Sequence, residues 1–484
     1  MHYKDGQDRH QVMMFCYDSM ILLDNPVRLI DLMCRKFISD NPARANWKGN
    51  TNEGCKSYPP GSMLNLLVYG YFNGIATSRK LEKETYRNIE VIWLLEGFRP
   101  DHWTICEFRR ENKVLIKDFV KTFRRFLQDE SYITGETVAF DGSKVKAYAS
   151  RNMLSEKSIG KKLDDIDKSL LEYLEKIEKQ DTLDQEMEET KKEIEVLKER
   201  VEKLEEERDK WKGYKKLLEA SGKQQISPND TDAILVKGRD GKFAGYNAQI
   251  GVDTKHHLIV TADVTMDTND TQQLLRCMEA VTEQLGTPPK EILADKGYSN
   301  TTQIMEVEAN GQTQCYIPLL NTFREKEQEK GIRFNYNEES DTYTCIEGKE
   351  LILHTKDRFQ TGAYYNIYKC HHCKGCPIQK ECTTSETGRT FKRNVNQKKI
   401  DAYRLKLQGK DSKAKIHKRK EIVEHPFGTI KWLMGKFNFV LTGRENVQTE
   451  FDLYATAYNI KRLTNLTSMP MMMEQIKGFD WKAA

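Results

Sequence analysis

Residues 157–220 constrain the fold of this chain more than any other segment. Leu163, Ile166, Leu170, Tyr173 and Ile177 fall at alternating three- and four-residue steps. Ile194, Leu197, Val201 and Leu204 repeat the pattern, and Trp211 rejoins the phase one heptad later. Most of the rest is Glu, Lys, Asp and Arg. Apolar residues at a 3.5-residue period form a narrow stripe that needs a facing helix, as in a coiled coil. The phase slips near Gln180-Asp181-Thr182, which leaves two readings open: two arms folded back as a hairpin, or one rod. Ser227-Pro228-Asn229-Asp230 closes the segment as a polar turn.

The texture on either side is β, so the heptad segment reads as an insert. Before it, Thr137-Val138-Ala139-Phe140 reads as a buried strand ending in Asp141 and a Gly142-Ser143 turn. After it, Gly245–Asp253 and Leu258–Val264 alternate apolar and polar residues as an antiparallel hairpin. Thr271–Leu285 is an amphipathic helix. Glu291–Ala294 is a short strand ending in Asp295 and a glycine turn, and Tyr316-Ile317-Pro318 is a further strand. This order predicts an α/β fold, a mixed sheet with flanking helices.

Residues 1 to about 130 read as helical, with starts at Asn25-Pro26, Pro59-Pro60 and Pro100-Asp101. The stretch fits either a DNA-contacting helical module or a bundle used for packing. With 484 residues, the chain has room for about three domains. No apolar run approaches the ~18 residues of a membrane span, and the first residues lack the apolar core of a secretory signal. Net charge is only +4, but charge is segregated: Thr387–Lys436 holds fifteen Lys/Arg against four Asp/Glu. Such a basic stretch suits nucleic acid.

Four of the eleven cysteines crowd together as Cys370-x-x-Cys373-x-x-Cys376, then Cys382. The other seven, Cys16, Cys34, Cys55, Cys106, Cys277, Cys315 and Cys345, are scattered. In a chain without a secretory signal, a tight cluster predicts a structural Zn²⁺ held by thiolates, with four reduced thiols as the alternative. His371 and His372 are substitute ligands.

Asp141 and Asp295 each follow a β-like apolar run. Carboxylates at two strand ends can converge and hold Mg²⁺, though each aspartate alone also reads as a turn cap. Glu424 lies four residues after Lys420 and seven before Lys431, a carboxylate flanked by cations on one helix face. That face also reads as a solvated, salt-bridged helix. Pro426 should kink or break the helix there.

Together, Ala139-Phe140-Asp141-Gly142-Ser143-Lys144, Ala294-Asp295-Lys296-Gly297-Tyr298 and Ile422-Val423-Glu424-His425-Pro426-Phe427-Gly428-Thr429-Ile430-Lys431 resemble the DDE transposases of bacterial insertion sequences. Ser78-Arg79-Lys80-Leu81-Glu82 and Pro100-Asp101-His102-Trp103-Thr104-Ile105 resemble the InsH-type N-terminal domain of that group. The resemblance implies an RNase H-like catalytic domain, with Asp141, Asp295 and Glu424 binding two Mg²⁺ or Mn²⁺. It implies Arg419, Lys420 and Lys431 on DNA phosphates. Lys431 matches the last position of the family's third motif, whereas Lys420 stands where the family has Arg and His417 where it has Tyr.

The activity implied is metal-dependent cleavage and strand transfer. The partners are double-stranded DNA, as terminal inverted repeats and target, and a second copy in a paired-end complex, with no membrane. A cytoplasmic, nucleoid-associated bacterial location follows. The alternatives are an RNase H-like nuclease that does not join strands, and a non-catalytic zinc and coiled-coil DNA-binding protein.

The expected organisation is a helical DNA-binding and assembly domain over 1–130 and the first catalytic strand region over 131–156. The coiled-coil insert spans 157–225, and the catalytic domain continues over 226–325. An insert with the cysteine cluster covers 326–395, a basic catalytic helix region 396–470, and a tail 471–484.

Overall fold

The structure is a computed structural model that describes residues 16–45, 57–150, 152–181, 188–238, 241–320, 334–360 and 363–483. Cys55 and Thr182, the last residue of the phase slip, lie outside the described residues.

The N-terminal part is helical, as expected: α1 (Pro26–Asp40), α2 (Pro60–Phe72), α3 (Ser78–Arg87), α4 (Ile89–Leu94), α5 (His102–Glu111) and α6 (Lys113–Asp129). Asn25 caps α1 by accepting from the Val27 N–H, and Asp101 caps α5 by accepting from the Thr104 N–H at 2.7 Å. Each cap satisfies a donor that the first helical turn leaves unpaired. Every residue of α2 from Met63 to Tyr71 is buried, so this helix runs through the core rather than over it.

The main sheet is built from β1 (Thr137–Lys146), β4 (Ile234–Gly238), β5 (Gly241–Asp253), β6 (Ile259–Thr265), β7 (Glu291–Leu293) and β8 (Gln314–Tyr316). Its order is β4-β5-β1-β7-β8, with β6 also on β5. β1 runs antiparallel to β5 and parallel to β7, and β7 runs parallel to β8. Two helices, α9 (Leu274–Leu285) and α10 (Thr301–Ala309), join successive strands.

Between β1 and β4 the chain leaves through β2 (Leu154–Ser155), α7 (Glu156–Asp181), α8 (Glu188–Ser221) and β3 (Gln225–Ile226). The two helices pack on each other, and β2 pairs with β3 at their base, Leu154 opposite Ile226. The hairpin reading therefore holds over the single rod. A small core of Leu154, Ile159, Leu218 and Ile226 seals the base. Ion pairs Lys162–Glu207 and Arg208–Asp167 link the arms.

A second, antiparallel sheet was not legible in the sequence. It comprises β9 (Phe334–Asn337), β10 (Thr342–Cys345), β11 (Glu350–Gln360), β12 (Ala363–Lys369) and β13 (Thr390–Asn394), in the order β13-β12-β11-β10-β9. A short helix, α11 (Gln379–Cys382), lies before β13. Then come α12 (Gln397–Gln408), α13 (Lys410–Met434), α14 (Arg444–Leu463) and α15 (Met469–Gly478).

Three expectations change. Pro426 does not break its helix: α13 continues to Met434 with Ile422, Val423, Pro426, Phe427 and Ile430 buried along one face. That burial outweighs the hydrogen bond a proline forfeits. β1 does not end at Asp141 but runs on to Lys146, so Gly142 is a strand residue. The expected tail, 471–484, is packed over its described part. Trp481 is fully buried, stacks on Phe126, and donates through its indole N–H to the Ile476 carbonyl at 3.1 Å.

One apolar core runs from the N-terminal helices through the sheet to α14 and α15. A buried ion pair, Arg124–Asp452 at 3.1 Å, ties α6 to α14. α14 also covers the outer edge of β6. Asn459 and Gln448 each offer an amide that donates to and accepts from the strand backbone, at Ile259 and at Ala262/Val264. Side-chain amides thus stand in for a missing strand on an otherwise open edge.

Candidate active site

The parallel ladder between β1 and β7 is short. It pairs Thr137, Val138 and Ala139 with Glu291, Ile292 and Leu293 and then stops. Asp141 and Asp295 each stand two residues past the last pair, Asp141 still within β1 and Asp295 just beyond β7. Asp295 caps a single 3-10 turn, Lys296–Tyr298, and its Oδ1 accepts from the Gly297 N–H at 2.7 Å.

Asp141 faces α13. The Arg419 guanidinium donates through Nη1 to Asp141 Oδ1 and to the Phe140 carbonyl, both at 3.3 Å. Burial pushes the Asp141 carboxyl up to about 6. Arg419 opposes this rise, and the negative charge of Asp295 adds to it. Asp141 therefore feels the charge of Asp295, as a carboxylate does when a second one stands near it.

The other expected residues are distributed along α13. Glu424 pairs with Lys420 at 3.7 Å, and both side chains are largely exposed. It lies five residues beyond Arg419, which is about 140° around a helix. With Arg419 turned to β1, Glu424 faces solvent. Lys431 is exposed, with its ammonium 4.8 Å from the Phe437 ring centroid. The structure thus brings together Asp141, Asp295 and Arg419 and leaves Glu424, Lys420 and Lys431 on the outer face. Among the described residues no three His, Cys, Asp or Glu side chains form a ready metal cage.

The zinc expected at the cysteines is not supported on the same ground. Cys370, Cys373, Cys376 and Cys382 line one small cavity together with Cys345 and Phe334, and among the described residues they form no metal-holding group. Cys373 Sγ accepts from the Arg389 N–H at 3.3 Å. Cys370 is buried in the core of the second sheet with Phe334, Tyr343, Leu351, Tyr368 and Phe391. Here sulfur serves as a small apolar filler.

Sequence reasoning missed the groups behind the aspartates. Asp270, in the loop between β6 and α9, accepts at Oδ1 from Lys144 Nζ (3.1 Å), Asn247 Nδ2 (2.7 Å) and Gln249 Nε2 (2.7 Å). The Tyr298 hydroxyl donates to Gln249 Oε1. Gly142 sits opposite Gln249 across the ladder. A Cβ on it would come within 2.3 Å of Gln249 Nε2 and 2.8 Å of Asp270 Oδ1. The glycine after Asp141 is required by close packing, not by a turn. Lys144 and Tyr298 were visible as parts of the two motifs, but Asp270 and Gln249 carry no signal of their own.

Residues 344–464 match the family described as Transposase DDE domain, and residues 15–111 match the Transposase domain (DUF772). The two matches indicate an insertion-sequence DDE transposase. No curated protein matches it. The DDE match of this transposase includes Arg419, Glu424 and the cysteine cluster. The DUF772 match covers α1 to α5. Asp141 and Asp295 lie between the two matched segments. A DDE domain implies an enzyme that cleaves DNA and transfers strands with a divalent metal. No helix among the described residues is long and apolar enough to cross a membrane.

Proposed function

We propose that this transposase cuts the ends of its own element and joins them to target DNA at the Asp141–Asp295 pair, with Glu424 as the third carboxylate. The observation that carries the reading is the register: two acids, each two residues beyond the last pair of one parallel ladder, with the charge of Asp295 adding to the cost of ionising Asp141. Hard carboxylate oxygens so placed suit Mg²⁺ or Mn²⁺, and a cation would relieve their repulsion. When bound, such ions supply charge neutralisation at the phosphodiester and an activated water. Glu424 belongs to the set because it rides on the helix whose Arg419 already touches Asp141. Arg419, Lys420 and Lys431 provide the cations that grip DNA phosphates. The sheet, antiparallel on the β4/β5/β6 side and parallel through β1, β7 and β8, supports an RNase H-like reading of the catalytic domain.

The α7–α8 hairpin is a two-stranded coiled coil in this reading, and it joins two copies of the enzyme in the paired-end complex. Transposition requires both element ends in one assembly. Leu171, Leu174 and Val196 are exposed along the hairpin, apolar surface that a partner would cover.

Asp141→Asn, Asp295→Asn and Glu424→Gln should each abolish cleavage of end DNA in Mg²⁺ while gel shifts with the same DNA persist. Full cleavage by any one variant removes that residue from the site. Pre-cut ends should be joined to target DNA by the unaltered enzyme. Cleavage without joining would make it a nuclease.

A further inference from the structure

The short β1–β7 ladder raises a mechanical question. Backbone hydrogen bonds fix the spacing of the two strands as far as Ala139 and Leu293. Beyond that point nothing in the backbone sets the gap between Asp141 and Asp295. β1 itself stays held on its other side, because its pairing with β5 runs without interruption from Val138 to Lys146. The unsupported component is the 295–298 turn.

A polar bracket, part-buried at Lys144 and Asp270 and buried at Asn247, Gln249 and Tyr298, spans this gap. Its first anchor is β1, through Lys144 and the notch at Gly142. Its centre is Asp270, whose Oδ1 gathers donors from Lys144, Asn247 and Gln249. Its far end is Tyr298, fully buried, whose hydroxyl donates to Gln249 Oε1. Gly297 completes the fit: a Cβ there would stand 3.4 Å from Asp270 Oδ2 and 2.8 Å from Asp295 Oδ1. Gln249 is 1% exposed and Asn247 is fully buried, so neither serves solvation. The β1–β5 pair does not need them, since its ladder is complete. What the side chains add is a connection from β1 to the turn that carries Asp295. Its buried members, Asn247, Gln249 and Tyr298, resist rearrangement because breaking their bonds leaves buried polar groups unpaired.

We infer that Asp270, Gln249 and Tyr298 are positioning residues that hold Asp295 at a set distance from Asp141. The inference rests on the reading of those two aspartates as metal ligands. Groups that orient metal ligands through hydrogen bonds typically change affinity by about 10–100-fold when removed.

The test is Mn²⁺ binding to the full-length protein, followed by electron paramagnetic resonance, with thermal unfolding in parallel. Tyr298→Phe deletes one hydroxyl and keeps the ring. It should weaken Mn²⁺ binding roughly tenfold, with a comparable rise in the Mn²⁺ needed for half-maximal cleavage. Maximal cleavage at saturating Mn²⁺ should change much less. A merely structural role would lower thermal stability without moving the binding curve.

Asp270→Ala should weaken binding about as much, whereas Asp270→Asn keeps an oxygen for the three donors and should restore it to within about threefold. Wild-type Mn²⁺ binding by Tyr298→Phe overturns the inference. So does Asp270→Asn losing as much as Asp270→Ala, which would make Asp270 itself a ligand. If Tyr298→Phe fails to fold, the Asp270 pair decides by the same criterion. Asp141→Asn separates this inference from the one beneath it: unchanged Mn²⁺ binding in that variant defeats the metal reading. Lost binding there beside a wild-type curve for Tyr298→Phe defeats only the positioning role.

Discussion

Replacing Asp141 by asparagine is expected to stabilise the metal-free transposase at pH 8 and to leave it close to wild type at pH 4. The carboxyl is held at about 6 against an ordinary value of 3.8, chiefly by burial. The folded state therefore keeps the proton more tightly than the unfolded chain does. The stability this contributes is fully present below pH 3.8 and is lost as pH rises through about 6. At about 1.4 kcal/mol per unit, ionised Asp141 costs the fold up to about 3 kcal/mol at pH 8. Asparagine removes that cost but strands Arg419 without its anion, so a net gain of about 1–2 kcal/mol is the reasonable expectation.

The assay is thermal unfolding in EDTA at pH 4, 6 and 8 for both proteins. The difference in melting temperature should grow with pH by a few degrees and be near zero at pH 4. An equal difference at every pH, or a less stable variant at pH 8, would refute the account of Asp141 as a buried acid held ionised at a cost. Added Mn²⁺ should invert the order at pH 8, because a ligand that binds the folded state alone stabilises it. Below about pH 6 the metal effect on wild type should fade, as protons compete for the same oxygens.

Gly142→Ala should cost about 1–3 kcal/mol by overpacking, since its Cβ would collide with two hydrogen-bonded side chains. It should also reduce cleavage strongly while DNA binding persists; gel shift and cleavage on one preparation check this. Trp481→Ala should lower stability by about 3–5 kcal/mol, read from denaturation, with no direct effect on metal binding. A loss below about 1 kcal/mol would detach the C-terminal segment from the core. Replacing 157–220 by a short Gly/Ser linker should leave the rest folded, because Leu154 and Ile226 already meet at the hairpin base. Paired-end complexes should decline more than single-end binding in native gels, and unchanged pairing would refute an assembly role.

The sequence was legible where one local pattern decides one element. Heptads announced α7 and α8, Pro and Asx caps announced the N-terminal helices, and alternation announced β5 and β6. It was misleading where one residue serves a distant one. Gly142 looked like a turn because glycine after aspartate usually is one, yet its role is to leave room for Gln249 and Asp270 from other elements. Pro426 looked like a breaker, but the buried face of α13 kept the helix intact. The cysteine spacing pointed to zinc; the aromatics that enclose Cys370, spread from Phe334 to Phe391, were not legible beside it. The second sheet went unread because its strands are rich in Tyr, Lys and Thr, and their exposed residues leave little apolar alternation.

The same distinction explains why two of the three expected acids meet and the third stands apart. Asp141 and Asp295 are placed by strands, whose register is fixed by backbone pairing and by the Asp270 bracket. Glu424 is placed by a helix, where five residues from Arg419 carry a side chain about 140° around the axis. Arg419 now occupies Asp141, and Lys420 occupies Glu424. Both cations are candidates for DNA phosphate, and neither can serve phosphate and carboxylate fully at once. DNA arriving at α13 would draw Arg419 and Lys420 away and leave both carboxylates unpaired, Asp141 next to the charge of Asp295, when its need for a divalent cation is greatest. Arg419→Ala should therefore tighten Mn²⁺ binding in the absence of DNA, by several-fold if the ion pair competes as the 3.3 Å contact suggests, while weakening binding to end DNA. Looser Mn²⁺ binding in that variant would show that Arg419 orients Asp141 for the metal instead of guarding it.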